Sequence, residues 1–215
     1  MAKRRKVGNL LALAVLSALT QRPMHPYEIA TELRGWGKDR DMDLKWGSFY
    51  TVVRNMDKHG LIEAVESVRE GRRPERTVYR ITEAGRAEMV DWAGELVSTP
   101  VREHPHFRAG LSVLAALHPD EAVRLLTRRR ELLDDALTTA RAVLAEHLRS
   151  VPRLFLVEEE YDIAMQEAEA AWVGSLLAEL TSEEYPDLGA WRVAHETGEI
   201  PAELADLAEQ KRDTR

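Results

Sequence analysis

From Asn9 to Thr20 the chain is almost wholly apolar, with Leu10, Leu11, Leu13, Val15, Leu16 and Leu19, a run long enough for a buried helix and too short to span a bilayer. The segment Arg22-Pro23-Met24-His25-Pro26 breaks it. Pro26 suits the first position of a second helix, which carries Tyr27, Ile29, Ala30 and Leu33 before Gly35 and Gly37 stop it. Phe49, Val52, Val53 and Met56 then recur at i, i+3, i+4 and i+7, predicting a third helix with one buried face that ends at Gly60. Leu61-Ile62 starts a strand, and Thr77-Val78-Tyr79-Arg80-Ile81 alternates as a second, half-buried one before a new helix begins near Glu83. Three helices followed by a two-stranded hairpin read as a winged helix-turn-helix, a unit that lays its third helix in the DNA major groove.

The polar face of that third helix displays Thr51, Arg54, Asn55 and Lys58, with Ser48 at its start, Tyr50 on the flank and Lys45 just upstream. Hydroxyls, amides and cations of this kind hydrogen-bond base edges and phosphates. Between the strands, Arg69, Arg72, Arg73 and Arg76 crowd into a turn punctuated by Gly71 and Pro74, and guanidinium forks match phosphate oxygens. A solvated helix face and a charged loop diluted by Glu70 and Glu75 would share these features singly. Side by side they favour DNA contact. Lys3, Arg4, Arg5 and Lys6 form a basic arm that either touches the phosphate backbone or keeps the terminus solvated.

Residues 10 to 90 resemble the DNA-binding domain of the PadR family of bacterial transcription regulators. The resemblance is carried by Met24-His25-Pro26-Tyr27-Glu28-Ile29, Gly47-Ser48-Phe49-Tyr50, His59-Gly60-Leu61-Ile62 and Thr77-Val78-Tyr79-Arg80-Ile81-Thr82-Glu83-Ala84-Gly85. Where members of that family often have a Ser-Pro pair before the third helix, this chain has Lys45-Trp46, which replaces an N-cap and a rigid first residue with a cation and a large ring.

Charge divides the chain in two. Residues 1–92 hold 17 Lys+Arg against 13 Asp+Glu, and residues 93–215 hold 13 against 24, so balances of +4 and −11 make up the net −7. The basic part is the DNA-binding domain, and the acidic part orients it on DNA by repulsion. In the acidic part Val123, Leu126, Leu133, Leu137, Ala140, Leu144 and Leu148 predict a helix from Asp120 to Arg149, about 45 Å long. Pro152 follows, and Tyr161, Ala164, Ala168, Trp172, Leu176 and Leu180 predict a second helix from Glu158 to Leu180. Helices of this length exceed what a small winged domain can cover, so a second copy of the same pair is the expected partner. The expected fold is therefore mainly α, with a winged helix-turn-helix over residues 1–92 and an all-helical dimerisation domain over 93–215. Ser98 to His106, with prolines at 100 and 105, is the expected hinge.

The resemblance implies a homodimer whose two heads read a pseudo-palindromic operator, with half-sites about 34 Å apart. It also implies release of DNA by a small aromatic or drug-like effector, for which Trp92, Phe107, Tyr161 and Trp172 are the candidate contacts, though such rings are more often core. The chain has no cysteine, and its cationic start followed by an apolar run lacks the A-x-A site of a secretory leader, so a cytoplasmic location is expected. An enzyme finds little support. The seven histidines show no metal-ligand spacing such as H-E-x-x-H, and no glycine-rich phosphate cradle or G-x-S-x-G elbow occurs, so neither metal nor cofactor is expected. Two other readings use the same residues: an architectural DNA-binding protein without sequence preference, and a winged-helix protein-interaction module.

Overall fold

The computed structural model describes residues 5–38, 42, 46–68, 76–182 and 185–198. Two compact units emerge, Met1–Arg102 and Glu103–Arg215.

The first unit is built around α1 (Leu10–Leu19), whose Asn9 side chain caps it by accepting the Leu11 amide at 2.9 Å. Leu11, Val15 and Leu16 have no exposed surface, and α1 packs against α2 (Pro26–Gly35), α3 (Phe49–Lys58), α4 (Glu83–Ser98) and the hairpin. His25 precedes α2 and satisfies two amides reciprocally. Its Nδ1 accepts the Tyr27 amide at 3.1 Å while Glu28 accepts the His25 amide at 2.8 Å. A 3-10 turn over Trp46–Ser48 leads into α3, which buries Phe49, Val52, Val53 and Met56. Each such burial contributes about 1.5–3 kcal/mol.

Strands β1 (Ile62–Val68) and β2 (Arg76–Ile81) pair antiparallel, Ile62 opposite Ile81 and Ala64 opposite Tyr79, with a bulge between Ala64 and Glu66. Met24 exchanges both backbone hydrogen bonds with Tyr79 at 3.0 Å, so the chain before α2 is stitched to the hairpin. Gly60 ends α3 at φ +69°, a conformation that side-chain-bearing residues rarely adopt. Thr82 then ties the next helix back to this turn: its hydroxyl donates to the Gly60 carbonyl at 2.7 Å and accepts the Gly85 amide at 3.0 Å. A Cβ on Gly85 would sit 2.0 Å from the Leu61 carbonyl oxygen, so only glycine lets α4 start there.

In the second unit α5 (His106–Leu111) and a 3-10 turn over Leu114–Ala116 precede α6 (Pro119–His147), which packs on α7 (Val157–Thr181); α8 (Leu188–Thr197) follows. Arg129 pairs with Glu169, Arg141 with Glu167 at 2.7 Å and His147 with Glu159 at 2.9 Å, which sets α6 and α7 antiparallel in a fixed register. Arg130 crosses over Gly174 and donates to the Ala170 carbonyl at 2.9 Å. Trp191 of α8 donates to the Leu117 carbonyl at 2.9 Å.

The mainly helical class and the two-stranded wing are as the sequence predicts. Several details differ. The boundary drawn after Trp92 falls inside α4, because the charge change precedes the end of that helix. The α6 stripe holds at Leu126 and Leu137, which are buried. On α7 the expected stripe holds at Leu180, which is buried, and at Leu176, which packs on the core, but Ile163, Ala170 and Val173 complete the buried face, whereas Tyr161, Ala164, Ala168 and Trp172 are exposed. Alanines around much of α7 leave its apolar periodicity ambiguous, and pairing of Glu159, Glu167 and Glu169 with α6 decides the face. Helices α5 and α8 were not anticipated. Nor is Arg5 part of a free arm. Its side chain is 4% exposed, clamped by Glu88, Asp91 and Glu95 of α4, with the guanidinium 5.1 Å from the centre of the Trp92 ring. Burial opposes its charge, but hydrogen bonds to Glu88, Glu95 and Asp91 outweigh burial and raise its pKa above the ordinary arginine value.

The Gly85 contact predicts that Gly85→Ala destabilises the protein by about 1–3 kcal/mol through forced overlap with a backbone carbonyl. A urea denaturation midpoint unchanged from wild type would contradict this.

Candidate nucleic-acid interface

Helix α3 has two faces with different fates. Phe49, Val52, Val53 and Met56 anchor it to α1, and by the same geometry Tyr50, Thr51, Arg54, Asn55 and Lys58 stand outward, all exposed. Tyr50, 60% exposed, leans edge-on against Phe49 at 5.4 Å between ring centres, which fixes its ring while leaving the hydroxyl in solvent. Arg54 reaches toward the Thr51 hydroxyl, 3.4 Å away. Ser48 lies half-buried in the 3-10 turn, and the turn rather than a Ser48 side-chain cap leads into the helix.

Three other arginines of the unit are ion-paired. Arg5 is neutralised by three carboxylates, Arg22 by Glu28 and Glu32, and Arg80 by Glu63 at 2.7 Å. Among the described residues no carboxylate pairs with Arg54 or Lys58. Burial, and after it the charge of Asp57 on α3, push the Tyr79 hydroxyl above its ordinary pKa. The outer face of α3 therefore offers donors and positive charge that no carboxylate of the described residues pairs with, the condition for binding a polyanion.

The other predicted DNA contacts are Lys45, Arg69, Arg72, Arg73 and Arg76. The first four lie outside the described residues; Arg76 opens β2, opposite Val68, and only its backbone is described.

Of the four aromatic residues expected at an effector site, Trp92 belongs to the first unit and Phe107, Tyr161 and Trp172 to the second. Trp92 is 5% exposed in the core of the first unit under Arg5, so it is structural rather than a ligand contact. Phe107 and Trp172 meet edge to face at 6.1 Å, and the Arg129 guanidinium covers Phe107 at 3.7 Å. Tyr161 stands exposed about 16 Å along α7 from Trp172, at 1.5 Å per residue. Phe107 lines an open groove of about 370 Å³ with His106, Leu111, Leu125, Leu126 and Arg129. A second cleft, about 490 Å³, runs along α6 and α7 and is walled by ion-paired Arg130, Asp134, Arg141 and Glu167. Among the described residues no group of three or more His, Asp or Glu side chains is arranged to hold a metal ion, and no helix is long and apolar enough to cross a membrane.

Residues 15–91 match the Transcriptional regulator PadR-like family. Over 89 residues, 40% of its length, it is 29% identical to the probable transcriptional regulator Rv1176c of Mycobacterium tuberculosis, and it spans 44% of that protein. Its fold is shared with Bacillus subtilis PadR in complex with operator DNA, at 18% identity and a TM-score of 0.66, over 80% of this chain and 99% of that one. The same figures hold for Bacillus subtilis PadR in complex with p-coumaric acid. The Vibrio cholerae virulence activator AphA is similar too, at 20% identity and a TM-score of 0.56, again over 80% of this chain and 99% of that one. The PadR-like match covers α3 and the wing, whereas the structural likeness extends into the helical unit.

Replacing Arg54 with Ala should cost about 1–3 kcal/mol of discrimination between preferred and random duplexes if Arg54 reads a base edge. Competition binding against random DNA checks this; an unchanged specificity ratio would remove Arg54 from base reading.

Proposed function

We propose that this chain is a homodimeric transcriptional repressor that lays α3 of each head in the major groove of a pseudo-palindromic operator and is released by a small aromatic effector. The observation that carries the reading is the outer face of α3: Thr51, Arg54, Asn55 and Lys58 are exposed on a helix whose opposite face is core, with no acid neutralising the two cations among the described residues. Tyr50, Thr51, Arg54 and Asn55 take base edges, and Ser48, Lys45, Lys58 and the wing arginines Arg69, Arg72, Arg73 and Arg76 hold phosphates. The operator complex of Bacillus subtilis PadR supports the assignment by analogy of fold.

Dimerisation is supported by what the helical unit leaves uncovered. Leu132, Leu154, Phe155 and Tyr161 are each more than half exposed on α6, α7 and their connection, apolar surface that a second copy could cover. For an effector, the Phe107 groove offers apolar walls with His106 and Arg129 at its edge, a chemistry compatible with a planar aromatic acid of the kind bound by Bacillus subtilis PadR. Ligand and DNA then oppose each other by favouring different dispositions of the two heads.

Light scattering should give twice the chain mass, and a nuclease footprint upstream of the chain's own gene should show two protected half-sites about 34 Å apart. Uniform protection of any fragment would make the protein an architectural coater. A monomer that ignores duplex DNA would make the winged unit a protein-contact module. Replacing Arg72 and Arg73 together with Ala should weaken all sequences alike and lower the salt slope of binding by up to about two units; an unaltered slope would take the wing off the DNA.

A further inference from the structure

We infer that Arg34 is a phosphate-binding residue of the head and that Trp46 is its positioning residue, so that the end of α2 contacts the DNA backbone beside the start of α3. The inference rests on the proposed reading of the head as a DNA-binding unit and adds a contact which the sequence does not suggest. Arg34 lies in the last turn of α2, where a cation ordinarily means only a favourable helix-dipole contact. Here it does more. Its guanidinium is held 4.3 Å from the centre of the Trp46 ring, and Trp46 in turn packs against Phe49, 5.7 Å between ring centres, which is 3% exposed in the core. The chain of contacts runs from the core through a half-buried indole to an exposed cation.

Two features separate Arg34 from a structural arginine. Among the described residues no carboxylate pairs with it, although Arg22, which reaches the same helix, is occupied by Glu28 and Glu32. And a guanidinium held over an indole face keeps N–H donors at its rim for the two oxygens of a phosphate, while the contact restricts the rotamers that an exposed arginine would otherwise lose on binding. Trp46 stands where the PadR-like pattern often has proline, so the substitution supplies a platform as well as a start for α3. Together with Arg54 and Lys58, Arg34 extends the uncompensated charge from the outer face of α3 to its beginning.

The test uses the full chain and a fluorescein-labelled duplex of mixed sequence, titrated by anisotropy at several potassium chloride concentrations, with circular dichroism and the thermal midpoint recorded for each variant. Arg34→Ala is expected to weaken binding several-fold and lower the slope of log affinity against log salt by about one unit, the loss of one phosphate contact. Arg34→Lys should keep most of that slope. Trp46→Leu should weaken binding in the wild-type background and have no further effect on top of Arg34→Ala; Trp46→Phe, which keeps a ring beneath the guanidinium, should retain most of the affinity and slope, and a loss as large as that of Arg34→Ala would contradict the positioning role. Arg34→Ala with an unchanged slope, or additive effects of the two substitutions, overturns the inference while leaving the DNA reading intact. Wild-type protein that binds no duplex even at low salt overturns both.

Discussion

The interface depends on one constraint: the apolar edge of α3 must be buried against α1. Phe49, Val52, Val53 and Met56 are each at most 5% exposed, and a helix anchored along that line has no choice about which residues it turns outward. Thr51, Arg54, Asn55 and Lys58 are presented to solvent because of the core, not because anything in the head binds them. Rigidity of the presentation comes from the same source. Gly60, Thr82 and Gly85 lock the end of α3 to the start of α4, and Met24 and Tyr79 lock the hairpin to the approach of α2, so the outer face is carried on a frame fixed at both ends.

Electrostatics then distinguishes residues that hold the head together from those available to a partner. Arg5 is clamped by three carboxylates over Trp92, Arg22 bridges Glu28 and Glu32, and Arg80 is tied across the hairpin to Glu63. These arginines have no charge left to offer. Arg34, Arg54 and Lys58 lack such acids among the described residues and lie at the end of α2 or on α3. A protein with a net charge of −7 can bind a polyanion only if its positive charge is local and uncompensated, which is the distribution seen here. In the second unit the pattern reverses: nearly every arginine facing α7 is paired with a glutamate there, so charge sets register between α6 and α7 instead of recruiting DNA.

The head was legible in the sequence because its signals agree. The i, i+3, i+4, i+7 pattern of α3, Pro26 after His25, Gly60 after Lys58 and the alternation from Thr77 to Ile81 each point to the element found, as local and tertiary preferences coincide. What escaped had no local signal. Arg5 reads as part of a basic arm, and only the fold brings α4 to it across more than eighty residues. Trp92 reads as an available ring until its burial is known. On α7, an alanine-rich sequence allows several apolar faces, and the one chosen depends on where Arg129 and Arg141 of α6 find their glutamates. Arg34 and Trp46 are twelve residues apart, and no periodicity links the end of one helix to the approach of the next.

The central claim is that duplex DNA is met by the outer face of α3. Hydrogen–deuterium exchange of the full chain, with and without a duplex carrying the region upstream of its gene, tests this without altering any residue. The account predicts that DNA slows exchange across residues 46–58 and along the hairpin while α6 and α7 exchange as before. Protection confined to α6 and α7, with residues 46–58 unchanged, would contradict it.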